Sequence, residues 1–163
     1  MSERRLLGPG FPDDSGQADP ALRAALAAYD GSGSQGEALA ALAGARLLVP
    51  VVAVLGEVEV GDDGLARDKT SDMAAVLLEG ADGRLAMLAF TGTDAMAAWD
   101  PTARPVPVAA ATAAQVALQE NAAALVVDIA GPATYVLEGD DLVGVASGWT
   151  LTRVGDRTAW LVD

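Results

Sequence analysis

Cysteine and histidine are both absent from this 163-residue sequence. Without cysteine there are no disulfides, no thiolate metal sites and no cysteine nucleophile. Without histidine, the commonest general base near neutral pH and the commonest imidazole ligand are gone as well. Aromatic residues make up only 4%, and Lys69 is the sole lysine. Lys plus Arg comes to 10 against 23 for Asp plus Glu, a formal net charge of −13. That sign opposes the phosphate backbone, which is bound through Lys and Arg and the counterions they release, so nucleic acid is not an expected partner. Long apolar runs are lacking too. The longest, Leu47 to Leu55, contains Pro50 and falls far short of the roughly 20 residues of a membrane helix, so no membrane association is expected. Arg4 and Arg5 lead only into Leu6 and Leu7 before Gly8-Pro9-Gly10, which is not an export signal, and a cytoplasmic location is the expectation.

What the chain does contain is aliphatic. Apolar residues reach 52%, but 35 of the residues are alanine, so the core must be assembled from small and branched side chains. The length suits one domain. Residues 1–18 mix Gly, Pro, Asp and Ser without apolar spacing and read as a flexible N-terminal arm, leaving 19–163 for a single mixed α/β domain, a β-sheet packed with short helices.

Asp19-Pro20 is an N-cap followed by proline at the first helical position, and Leu22, Leu26 and Tyr29 then share one helical face. Ala38, Leu39, Leu42 and Ala43 repeat helical spacing up to Gly44. Leu47 to Leu55 reads as a buried strand, with Pro50 favouring an edge or a bulge; Glu57 to Val60 extends it. Ala74 to Leu78 and Leu85 to Phe90 flank the turn chemistry of a hairpin. Thr91-Gly92-Thr93-Asp94 opens a helix that Asp100-Pro101 ends, with Thr91 and Thr93 as rival caps. An extended piece at Val106-Pro107-Val108 precedes an alanine-rich helix over Ala109 to Gln119, anchored by Val116. Strands at Ala124 to Ile129 and Thr134 to Leu137, a helix over Leu142 to Ala146 and a terminal hairpin around Gly155-Asp156 complete the chain.

Four segments in order resemble the N-terminal domain of the SseB family, the group named for enhanced serine sensitivity and distinct from the secretion-system translocon component. They are Leu47-Leu48-Val49-Pro50-Val51-Val52, Lys69-Thr70-Ser71-Asp72-Met73-Ala74, Ala89-Phe90-Thr91-Gly92-Thr93 with Trp99 ending the next helix, and Arg104-Pro105-Val106-Pro107. The resemblance runs over roughly residues 20 to 148. Where family members often carry an Asn-Pro pair, this chain has Asp128-Ile129-Ala130-Gly131-Pro132. The resemblance implies a mixed α/β domain without established catalytic residues.

The strand-to-helix turn Thr91-Gly92-Thr93 is the first candidate ligand site, because backbone N–H groups at a helix start attract anions such as phosphate. Asp94 would compete for that positive end. Lys69 and Ser71 form a second candidate, a serine beside the one lysine, set in a loop whose acidity keeps the lysine charged. Clustered carboxylates could gather Mg²⁺ or Ca²⁺, but no calcium-loop or phosphate-loop spacing is present, and no cofactor is expected. Trp99 reads as core, whereas Trp149 and Trp160 stay open between core and interface anchors. Since no catalytic motif is complete, the leading expectation is a non-enzymatic interaction or regulatory domain. It would meet a protein partner, a basic one by charge, through Glu57, Glu59, Asp72 and Asp94. A small-molecule or phosphate binder is the alternative, a metal-dependent hydrolase ranks third, and homo-oligomerisation stays open.

Overall fold

In the computed structural model, residues 11, 13–31, 35–53, 59–60, 66–67, 73–155 and 157–162 are described. Helix α1 (Pro20–Gly31) starts where the proline signal puts it, and the Asp19 carboxylate accepts the Ala21 N–H at 2.9 Å. Leu22 and Leu26 point inward and are buried, each worth about 1.5–3 kcal/mol. Tyr29, one turn further along the same face, is part-exposed and meets Tyr135 edge-on at 5.7 Å. Helix α2 (Gln35–Ala43) buries Ala38, Leu39 and Leu42.

Strand β1 (Arg46–Ala53) lies between β4 (Met73–Ala75) and β7 (Arg104–Ala109), antiparallel to both. Pro50 is therefore in a central strand, which overturns the edge half of the edge-or-bulge expectation. The physical reason lies in the two-residue period. The Leu48 N–H donates to the Phe90 carbonyl at 2.7 Å, so the Pro50 nitrogen faces that same side, where the neighbouring chain changes from Phe90 to Ala75. Across the other ladder Pro50 opposes Pro105, and neither is asked for a donor. Glu59–Val60 forms its own short strand, β2, paired with β3 (Ala66–Arg67).

The second sheet has the order β5 (Leu77–Glu79), β6 (Leu85–Ala89), β8 (Ala124–Val127), β9 (Tyr135–Glu138). The expected β5–β6 hairpin is present, closed by the Gly83 N–H donating to the Gly80 carbonyl, with Gly83 at a φ of +81°. Strands β6 and β8 run parallel, so their C-terminal ends lie side by side. Helix α3 (Thr93–Trp99) leaves the first of those ends, and α4 (Ala110–Gln119) leads into the opposite, N-terminal end of β8 at Ala124. The inner face of α4 is Ala110, Ala113, Ala114 and Ala117, all fully buried, while Val116 is only half-buried. Small side chains rather than the valine set that contact, letting the helix lie close to the sheet. Helix α5 (Gly139–Ser147) and the hairpin β10 (Thr150–Val154) with β11 (Arg157–Leu161) finish the fold.

Two apolar clusters result. The larger fills the space under α1, α2, α4 and α5. The smaller, Leu48, Leu88, Phe90, Ala95 and Met96 with Trp99 over it, lies between α3 and the opposite sheet face. Trp99 thus belongs to the core, its ring 5.6 Å from that of Phe90. No described helix is long and apolar enough to cross a membrane.

Candidate functional site

The parallel ends of β6 and β8 bring together two buried polar residues, Thr91 at 0% exposure and Asp128 at 1%. Each oxygen of the Asp128 carboxylate accepts one bond from Thr91, Oδ1 from the N–H at 2.8 Å and Oδ2 from the hydroxyl at 2.7 Å. Asp128 sits at a φ of +56°, a conformation that short polar side chains tolerate best after glycine. Its carbonyl accepts the Thr134 hydroxyl at 2.8 Å. From α1, Arg23 donates through Nη2 to Thr91 Oγ1 at 2.8 Å and to Asp94 Oδ1 at 2.9 Å, and pairs through Nη1 with the other Asp94 oxygen.

Burial pushes the Asp128 carboxyl above the usual carboxylate range, against the opposing pull of the two Thr91 bonds and of Arg23. The Arg23 hydrogen bond holds exposed Asp94 below that range, and the same bond raises the guanidinium. The result is a closed polar chain, Asp94–Arg23–Thr91–Asp128, that leaves bulk water at one end and is buried at the other.

The described part of the expected loose arm is pinned over this chain. Arg46 forms an ion pair with Asp14 and donates to the Gln17 carbonyl at 2.6 Å and the Thr91 carbonyl at 2.9 Å. The Gly16 carbonyl accepts the Thr93 N–H at 2.8 Å. Contact is this close because two glycines face it. A Cβ on Gly92 would sit 2.7 Å from the Ala18 nitrogen, and one on Gly16 would sit 2.5 Å from Thr93 Cγ2.

The structure therefore places Thr91, Gly92, Thr93 and Asp94 together, but in a closed arrangement. Neither threonine caps α3: Gly92 holds the N-cap position with no side-chain cap bond, the Thr91 hydroxyl being spent on Asp128 and Thr93 lying within the first turn. The N–H groups of Thr91 and Thr93 already have acceptors, so they are not presented to a phosphate. Lys69, Ser71, Asp72 and Glu57 lie outside the described residues, and Glu59 is described only as backbone of β2. Among the described residues no group of three Asp or Glu side chains is placed to hold a metal ion. Sequence reasoning missed Arg23, Arg46 and Asp128, because their partners are 29 to 71 residues away for the arginines and 37 for the aspartate carboxylate.

Arg46→Ala should remove the strap's anchor. The expected loss is about 1.5 kcal/mol of unfolding free energy, the scale of a part-buried charge-assisted bond, with faster amide exchange at Gly16 and Thr93. Unchanged exchange at both amides would show that the strap is held by something else.

A different surface is open. On the outer face of the four-stranded sheet the register aligns Leu78, Ala86, Ala124 and Glu138 in one row and Leu88, Val126 and Val136 in the next. Helix α3 covers the Leu88 end. The remainder holds a cleft of about 320 Å³ lined in part by exposed Leu78 (38%) and Ile129 (37%), and Val136 (47%) is exposed beside it on the same sheet face. Its rim carries Glu79, Asp82 and Glu138 against one cation, Arg84, which is shared between Asp82 at 3.9 Å and Glu138 at 3.7 Å.

A family model described as SseB protein N-terminal domain matches residues 22–143, a span that holds the strand-end cluster and the open sheet face and leaves the β10–β11 hairpin outside. No curated protein and no solved structure matches the chain.

Proposed function

The chain belongs to the SseB family, and we propose that it acts as a non-enzymatic, cytoplasmic protein-interaction domain whose docking surface is the open outer face of the β5-β6-β8-β9 sheet. The observation that carries this reading is the combination of exposed Leu78, Ile129 and Val136 with a carboxylate-rich rim. Contiguous apolar surface rimmed by polar groups is what an interaction site requires, since solvent gains from its coverage while the rim selects the partner. Three carboxylates against one shared guanidinium, on a chain of net charge −13, call for a basic partner that offers aliphatic side chains. A second copy fits poorly, because it would set acidic rim against acidic rim. The partner contact thus moves from the loop carboxylates to the sheet rim; Asp94 is engaged by Arg23.

Fluorescence anisotropy with a synthetic peptide alternating lysine and valine tests this. Binding should weaken severalfold as salt rises from about 50 to 300 mM, because rim charges are screened, and at least tenfold in the Leu78→Ser/Val136→Ser variant. Affinity unchanged in that variant, or no binding, would overturn the reading.

A further inference from the structure

The middle of the open sheet face is hollow. In the row Leu78, Ala86, Ala124, Glu138 the central strands β6 and β8 both carry alanine, while larger side chains stand on β5 and β9. One row further along, the same two strands carry Leu88 and Val126. The floor is therefore a pair of methyl groups on neighbouring strands about 4.8 Å apart, walled by Leu78, by Glu138 and by the Leu88–Val126 pair. All six residues line the cleft of about 320 Å³. Met87 and Leu125, between the rows, alternate to the other face and are fully buried in the larger core cluster, so the hollow belongs to the outer face alone.

Interiors of proteins fill such space at close packing, and on an interaction face the missing volume comes from the partner. An apolar cavity of about 150 Å³ accepts a benzene-sized group, so this cleft has room for a side chain well beyond valine. Glu79, Asp82 and Glu138 beside it favour cationic neighbours for whatever enters. We propose that the hollow is an anchor pocket: the basic partner inserts one bulky apolar side chain, of leucine or phenylalanine size, over Ala86 and Ala124, and lysine or arginine residues next to that anchor meet the rim carboxylates. The small side chains at 86 and 124 thereby determine which partner is accepted. The inference rests on the docking role proposed for this face and adds to it the side chain that the partner must bring.

Fluorescence anisotropy with the lysine–valine peptide carrying Ala, Val, Leu or Phe at one central position tests the pocket. On the parent protein, affinity should rise with side-chain size by at least roughly tenfold from the Ala peptide to the better of the Leu and Phe peptides, since three or more carbons enter apolar contact. Ala86→Leu fills the hollow from the outer face and should bring that ratio below about twofold while the salt dependence is retained. Ala86→Val, β-branched and suited to a strand, should give an intermediate ratio and supplies the same reading should circular dichroism show the leucine variant unfolded. Equal affinities of all four peptides for the parent, with Leu78→Ser/Val136→Ser still weakening them, would overturn the anchor pocket and leave the docking face standing. A size preference undiminished in the filled variants would overturn the pocket as well. Absence of binding by every peptide would overturn the docking face and the pocket with it.

Discussion

Asp128→Ala should cost about 3 kcal/mol of unfolding free energy, one buried donor left unsatisfied costing about 1–3 kcal/mol. The substitution strips the acceptor from both the Thr91 N–H and the Thr91 hydroxyl at a buried position. It also puts alanine at a φ of +56°, a further cost of about 1 kcal/mol. Part of this is offset, because the parent carboxylate is itself penalised by burial. Asn in its place should be far milder, keeping an acceptor for the N–H and tolerating the backbone.

The pH dependence separates the two substitutions. The Asp128 pKa is raised in the folded protein, so its contribution is fully present below the unfolded value near 3.8 and is lost as pH rises through the folded value. Asp94 has the opposite sign: its lowered pKa contributes stability above 3.8 that is lost as pH falls. Urea unfolding across pH 3 to 7 should therefore show the stability of Asp128→Asn relative to the parent moving in the variant's favour as pH rises. A difference independent of pH would mean that Asp128 does not titrate as a buried carboxyl, and a loss below about 1 kcal/mol in the alanine variant would remove the cluster's structural role.

Gly144→Ala should detach the C-terminal hairpin. A Cβ at this position would lie 2.5 Å from both Cδ2 and Cε2 of Trp160, so the indole must leave its seat on α5. Moving it breaks the Nε1–H bond to Asp141 Oδ1 at 3.0 Å and uncovers the core residues under Trp160 and Leu151. Overpacking of this kind costs about 1–3 kcal/mol, and the upper half of that range is expected because the ring cannot rotate away without losing its partner. Thermal unfolding and tryptophan emission read the outcome together: a lower midpoint with red-shifted emission is expected. An unchanged midpoint would show that the hairpin contributes little to the fold.

These two positions also show how much the sequence discloses. Asp19-Pro20, Gly83 and Asp100-Pro101 act on backbone within a few residues, so α1, the β5–β6 hairpin and the end of α3 could be read directly. Thr91 could not. Its neighbours carry every mark of a helix cap, yet an aspartate 37 residues later and an arginine 68 residues earlier take its hydroxyl. Pro50 misled for a related reason, since its nitrogen falls where one neighbouring strand gives way to another, which only the assembled sheet reveals. The open sheet face was hidden as well. Leu78, Val126 and Val136 read as ordinary strand residues until the register set them in adjacent rows and α3 was seen to cover only one end.

The most direct measurement is a two-dimensional NMR titration of the isotope-labelled protein with the lysine–valine peptide at low salt. Shifts concentrated at Leu78, Ala86, Val126, Ile129 and Val136 and along the Glu79, Asp82 and Glu138 rim are the expected result. Shifts confined to the 91–94 turn, or none at saturating peptide, would contradict a docking function for the open face.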